Sequence, residues 1–206
     1  MKPLDAGPSD RRSRRKTEMR RRILDAAIER FVADGYDATT MDAIADHADV
    51  ARATVFNHYP DKEQLLRAYL ARRREQLVEV LQEETRASAD AVQQLYDAFD
   101  LMAQTNEQNP AEARELVRAW WRTGGSTASE PQTGLILAGV IAEGQRRGEL
   151  RADIEPELAG RLLLDAYAGI VLRWVAADAP PFPLRDALRE VCTIIVTGLR
   201  SQPERG

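Results

Sequence analysis

The sequence predicts an all-α chain, with an N-terminal three-helix unit of helix-turn-helix type followed by a larger helical bundle, about nine helices in all. Three observations carry this. Apolar residues recur at spacings of three and four along most of the 206 residues, the period of a helix with one buried stripe. No segment alternates apolar and polar residues as a half-buried strand does, and no internal repeat is visible. The stripes are interrupted at Gly35, Pro60, residues 124–131, Gly148 and residues 178–183, all rich in residues that end helices.

Residues 1–16 hold Gly, two Pro, Ser and five basic residues between Arg11 and Lys16, with little to bury, so they are expected to form a disordered basic arm that either follows phosphates or enters a minor groove, or serves only as a solvating tail. Thr17 is a plausible cap for a helix running to about residue 34, where Leu24, Ala27, Ile28 and Phe31 form the apolar stripe and Gly35 ends it. A short helix then starts at Thr39 or Thr40, with Met41, Ile44, Ala45 and Ala48 on its inner face. Asp49 tolerates the left-handed backbone of a sharp turn, and Val50 plugs the corner. The next helix spans about residues 51–59 and stops at Pro60. Its Val55 and Tyr59 form an inward i, i+4 pair, while Arg52, Thr54, Asn57 and His58 make a polar face without a carboxylate.

Asp61 and Gln64 have capping-box spacing, so a fourth helix begins near Lys62 and carries Leu66, Tyr69, Leu70, Leu77, Val80 and Leu81 to about residue 84. Five more helices follow near residues 90–105, 111–122, 132–147, 156–177 and 184–201. The expected domains are therefore the arm at 1–16, the helix-turn-helix unit at 17–64 and the helical body at 65–206.

Net charge is −4, which argues against a nucleic-acid partner until its distribution is considered. Residues 1–74 hold 16 basic and 12 acidic side chains, a balance of +4; the remainder hold 13 and 21, a balance of −8. Phosphate attraction is screened over about 8–10 Å, so the local patch matters more than the sum. The single cysteine, Cys192, lies in an apolar helical stretch and cannot support a disulfide framework. No stretch has the apolar length of a membrane span, and the basic N-terminus lacks a following apolar run, so no membrane partner is expected and the cytoplasm is the default location.

Two short helices around a tight turn, the second with a donor-rich face, suit a major groove. Asn57 can pair with adenine, Arg52 can reach guanine or a phosphate, Ala53 and Thr54 suit a thymine methyl, and His58 can donate to a phosphate. Any one of these residues alone reads equally as part of a solvated helix face; the whole constellation, without acids, points to DNA.

From about Arg21 to Leu66 the order and spacing of Ala26-Ala27, Phe31, Gly35-Tyr36, the Thr pair, Ile44-Ala45, Val50, Thr54-Val55-Phe56, His58-Tyr59 and Lys62-Glu63 resemble the TetR-type transcriptional regulators. Three positions depart from that pattern: Asp49 where glycine is common, Ala51 where a capping Ser is common, and Phe56 where a Tyr usually contacts a phosphate. With the positions that match the family's motif, the expected DNA contacts are Thr39, Thr40, Arg52, Ala53, Thr54, Phe56, Asn57, His58 and Lys62. The resemblance implies a double-stranded, palindromic operator and a ligand-responsive homodimer, usually a repressor.

The last two helices are apolar over wide arcs, which means burial on more than one side, as two central core helices or as half of a four-helix bundle across a two-fold axis. The resemblance favours the second, with Leu162, Ala166, Ile170, Leu188, Val191 and Ile195 at the dimer interface. Tyr96, Phe99, Met102, Trp121 and Tyr167, with Arg118 and Asp165 as polar anchors, are candidates for the pocket of an unknown small-molecule effector or for plain core. The resemblance further implies that an effector there alters the relation of the fourth helix to the body. The two histidines, His47 and His58, lack the Cys or carboxylate neighbours of a zinc site or catalytic dyad, and no phosphate-loop, dinucleotide or nucleophile-elbow motif occurs. No metal, no cofactor and no enzyme activity are expected. A helical protein-protein interaction module using the helix-turn-helix only for packing remains the alternative.

Overall fold

The computed structural model describes residues 8–87, 90–127 and 131–200. Its first helix, α1 (Pro8–Asp34), begins nine residues before the expected cap at Thr17. The reason is local. Arg, Lys, Glu and Met are good helix formers, and a proline in the first helical turn loses no hydrogen bond. The part of the basic arm from Pro8 onward is thus helical rather than disordered; residues 1–7 lie outside the described residues.

The chain divides into two compact units, residues 1–71 and 72–206. In the first, α1 is followed by α2 (Met41–His47), α3 (Arg52–His58) and the start of α4 (Lys62–Ala87). Ile23, Ala27 and Phe31 of α1 are fully buried, as are Ile44 of α2, Val55 of α3 and Leu65 and Leu66 of α4, so the helical stripes meet in one small core. Asp61 accepts a hydrogen bond from the Gln64 amide at 2.8 Å, which starts α4 where the capping spacing placed it.

In the second unit the end of α4 is joined by α5 (Ala91–Glu107), α6 (Pro110–Arg122), α7 (Pro131–Arg146), α8 (Pro156–Ala176) and α9 (Leu184–Leu199), each within two residues of its expected bounds. Leu95, Phe99, Leu137, Ile141, Leu163, Val175, Leu188 and Cys192 are fully buried in its core. Burial pushes the Cys192 thiol up to about 12, so it stays protonated and inert. Among the described residues there is no strand, only an isolated antiparallel bridge between Leu150 and Arg200.

Several helix ends in this unit are completed from elsewhere in the chain. Pro183, at the N-cap of α9, offers no side-chain acceptor. The Glu107 carboxylate supplies one, accepting from the Leu184 and Arg185 amides at 3.0 and 3.2 Å. Glu149 accepts from the Ala91 amide at the start of α5 in the same way, at 2.8 Å.

α7 and α8 approach closely where Gly160 lies against the backbone of α7. A Cβ at Gly160 would lie 2.5 Å from the Gly134 carbonyl oxygen and 2.8 Å from the Ala138 amide nitrogen, backbone atoms that cannot swing away. Gly160→Ala is expected to force the two helices apart and to cost about 1–3 kcal/mol, the range for overpacking. Gly139→Ala on α7, where an added Cβ meets nothing within 4 Å, should leave stability unchanged or raise it. Thermal denaturation of the two variants beside wild type checks this, and equal melting temperatures would contradict the packing described.

Candidate nucleic-acid interface

The turn between α2 and α3 fixes how α3 is presented. α2 is capped by Thr40, whose hydroxyl oxygen accepts from the Ala43 amide at 3.1 Å. At its other end Asp49 takes φ 49°, the only positive φ of a non-glycine residue among those described. The Asp49 and Val50 amides donate to the Asp46 and Ala45 carbonyls, closing the helix as a Schellman motif with aspartate in the place glycine usually holds. Arg22 of α1 braces that residue, donating to the Asp49 carboxylate at 3.0 Å and to its carbonyl at 3.3 Å. As the sequence implied, Ala51 makes no side-chain cap for α3.

On α3, Val55 and Tyr59 are buried, and Arg52, Ala53, Phe56 and Asn57 are exposed, with Thr54 and His58 half-buried at the margins. Four of the nine expected contacts thus share one accessible face, and two more, Thr54 and His58, flank it. Arg52 pairs with Asp42 of α2 at 2.8 Å and lies 5.4 Å from the centroid of the Phe56 ring. The pair is solvent-exposed on both sides and so is weak enough to be exchanged for a phosphate or a base. Phe56 is 39% exposed, an aromatic surface that brings no hydroxyl to a phosphate.

Two expected contacts are corrected. Thr39 is only 2% exposed, and its hydroxyl donates inward to the carbonyls of Gly35 and Arg30 at 2.8 and 3.2 Å, so it ties the end of α1 to α2. Lys62 donates to the Tyr36 and Asp37 carbonyls at 2.7 and 3.1 Å and stacks on the Tyr36 ring at 4.8 Å. Its ammonium is committed to holding the loop before α2. Thr40 is exposed, and the hydroxyl that caps α2 retains its own proton as a donor.

His58 sits at the margin of the α3 face, half-buried. Its Nδ1 is enclosed without a hydrogen-bond partner among the described residues, and its pKa lies below the ordinary 6.5 because of burial first, then the nearby charges of Arg20 and Lys16. The sequence places Lys16 in the basic arm and does not single out Arg20. The signal available was their i, i+4 spacing on the stripe that continues as Leu24 and Ile28.

Comparisons with known proteins match this unit to a family. Residues 23–69, from the buried half of α1 to the start of α4, match the model described as bacterial regulatory proteins, tetR family. Over nearly the whole chain, the HTH-type transcriptional repressor KstR of Mycobacterium tuberculosis is 29% identical across 180 residues, 87% of this chain and 81% of the relative. KstR2 of Rhodococcus jostii is 29% identical across 212 residues, 98% of each chain. The chain belongs to the TetR family of transcriptional regulators. The same architecture occurs in a TetR-family transcriptional repressor, FadR of Thermus thermophilus, solved in complex with lauroyl-CoA, with a TM-score of 0.72 and 27% identity over 91% of this chain and 99% of that one.

In this TetR-family regulator, the residues expected to form an effector pocket do not converge as a set. Phe99 and Met102 are buried in the core of the second unit. Tyr167 is half-buried and its hydroxyl accepts from Asn106, itself buried, at 2.8 Å. Tyr96 is half-buried and donates to Thr193 on α9 at 3.0 Å, and Trp121 is half-buried on α6. The two expected anchors lie elsewhere. Arg118 donates to the last carbonyls of α8, those of Val175, Ala176 and Ala177, at 2.6 to 3.1 Å, and so caps that helix. Asp165 is exposed and accepts from Thr127 at 2.6 Å, at the edge of a shallow groove between α7 and α8.

The expected dimer residues also divide. Leu188 is fully buried and Ile170 nearly so within their own subunit, which removes both from any partner-facing surface. Leu162 is exposed and Ala166, Val191 and Ile195 are half-buried. No described helix is long and apolar enough to cross a membrane.

Asn57, exposed at the centre of the α3 face, can read a base edge bidentately. Asn57→Ala is expected to relax base preference at one position of the bound site, with a loss of about 1–3 kcal/mol on the preferred sequence and little change on others. Binding measured across a set of single-base operator variants checks this; an equal loss on every sequence would refute the base-reading role.

Proposed function

We propose that this TetR-family protein is a cytoplasmic homodimeric repressor that holds a palindromic operator with its two α3 helices and is released by an acyl-coenzyme A thioester. The observation that carries the DNA reading is the outer face of α3, Arg52, Ala53, Phe56 and Asn57, exposed because Val55 and Tyr59 are locked into the core. Thr40, Thr54 and His58 flank that face and complete the contact surface.

The dimer surface follows from exposure. Leu158 and Leu162 of α8 are more than half exposed, and Ile194 of α9 is 67% exposed, an unusual state for large aliphatic side chains on helices with a well-packed opposite side. A second copy covering α8 and α9 would bury them together with Ala166, Val191 and Ile195. A dimer suits a palindromic operator, because two recognition helices about 34–36 Å apart can address two half-sites in successive major grooves.

The effector class is supported by the likeness to the lauroyl-CoA-bound repressor, which extends over the second unit as well as the first. Phe99 and Met102, buried in the second unit, and the Asn106–Tyr167 hydrogen bond are the apolar and polar groups that an acyl chain entering between these helices would have to displace. The chemistry proposed is binding alone, with no cofactor, metal or turnover. A ligand that prefers the DNA-incompetent state about 100-fold supplies about 2.7 kcal/mol of coupling, enough to empty an operator. Lauroyl-CoA added to the operator complex is expected to weaken DNA binding by roughly that factor in a fluorescence anisotropy titration, while coenzyme A alone should not. Unchanged operator affinity at saturating lauroyl-CoA would overturn the effector assignment.

A further inference from the structure

The inward stripe of α1 changes chemistry at its midpoint. From Ile23 onward it is Ile23, Ala27 and Phe31, all fully buried; one and two turns earlier the same side of the helix carries Arg20 and Lys16. Among residues 13–22 no side chain is buried and only Met19 is half-buried. At 1.5 Å per residue, residues 8–22 extend roughly 22 Å beyond the part of α1 that packs in the core.

This projecting segment is basic. Residues 13–22 carry Arg14, Arg15, Lys16, Arg20, Arg21 and Arg22 against Glu18 alone. Arg21 is held by Glu18 at 2.7 Å and Arg22 by Asp49 at 3.0 Å. Lys16 and Arg20 have no carboxylate partner among the described residues. Arg20 instead lies 4.8 Å from the centroid of the Tyr59 ring, at the C-terminal end of α3. Of the two acids that line the same cleft as Arg20, Asp61 caps α4 and Glu63 pairs with Arg67 at 2.9 Å. The cationic groups of Lys16 and Arg20 therefore stand unpaired, among the described residues, beside the last turn of α3, and the lowered pKa of His58, set first by burial, carries smaller contributions from the same two charges.

We propose that Lys16 and Arg20, beside His58, form a phosphate-binding site at the end of α3, so that the projecting half of α1 follows a DNA strand flanking the groove that α3 enters. The guanidinium of Arg20 is planar and suited to a bidentate phosphate contact, and Lys16, one turn away, adds a point charge. Contacts of this kind fix register on the duplex and carry no base preference. The inference rests on the DNA-binding reading of α3 and adds a second element to it.

The test is a salt series between 50 and 200 mM on the full-length protein, using the operator recovered from selected DNA fragments and an unrelated duplex of equal length. Each lost phosphate contact should reduce the slope of log K against log salt by about 0.9, so Lys16→Gln/Arg20→Gln should reduce it by about 3.6 per dimer and weaken both duplexes by the same factor. Lys16→Gln alone, at a side chain with no internal partner, should reduce it by about 1.8 whatever happens to the fold of the double variant. Arg21→Gln should change the slope less than either, and Lys16→Arg/Arg20→Lys should restore it. An unaltered slope in Lys16→Gln and in the folded double variant, beside a salt-steep wild type, overturns this site and leaves α3 as the reader. A wild type with no salt dependence overturns the DNA reading and the site together.

Discussion

A helix of seven residues has no stability of its own in water, because nucleation costs more than so few hydrogen bonds return. α3 exists, and points where it does, because Val55 and Tyr59 are seated in the core of the first unit and because Asp49 closes the turn before it. Those constraints act on its two ends. With the inner pair fixed, the 100° step between residues dictates that Arg52, Ala53, Phe56 and Asn57 face outward. Asp49 occupies a backbone conformation that favours glycine, and Arg22 stabilises it from α1 with contacts to both its carboxylate and its carbonyl. The departure at this position is thus compensated locally by a residue 27 positions earlier in the chain.

The first unit was largely legible in the sequence because its determinants are local. Helical periodicity, Pro60, the Asp61 cap and the left-handed Asp49 all act within a few residues of the feature they specify. The errors came from side chains that act at a distance. Thr39 and Lys62 stand at motif positions, yet their donors are taken by the carbonyls of residues 30, 35, 36 and 37, which only the folded chain brings near. The arm was misread for a different reason: a run of charged residues with nothing to bury has the composition of a disordered tail, but it continues a helix already nucleated by the core that follows Ile23.

In the second unit the helices could be placed to within two residues, but the roles of their polar side chains could not. Arg118 looked like an internal anchor and is instead the cap of α8, and Glu107 and Glu149, which no motif singles out, complete the N-termini of α9 and α5. Such capping partners lie 57 to 77 residues away in sequence, and no periodicity foretells them. The wide apolar arcs of α8 and α9 carried real information, since one side of each helix is core and the other leaves Leu162 and Ile194 exposed. Which leucine falls on which side depends on the angle at which the helices pack, so Leu188 and Leu162 could be told apart only in the folded unit.

Regulation by this protein requires that the outer face of α3 meet DNA in two symmetric copies. The most direct measurement is the structure of the full-length protein bound to its selected operator. It should show two protomers about a two-fold axis, each with α3 in a major groove and Asn57 within hydrogen-bonding distance of a base edge. A complex in which α3 lies away from the duplex, or in which a single protomer occupies the operator, would contradict it.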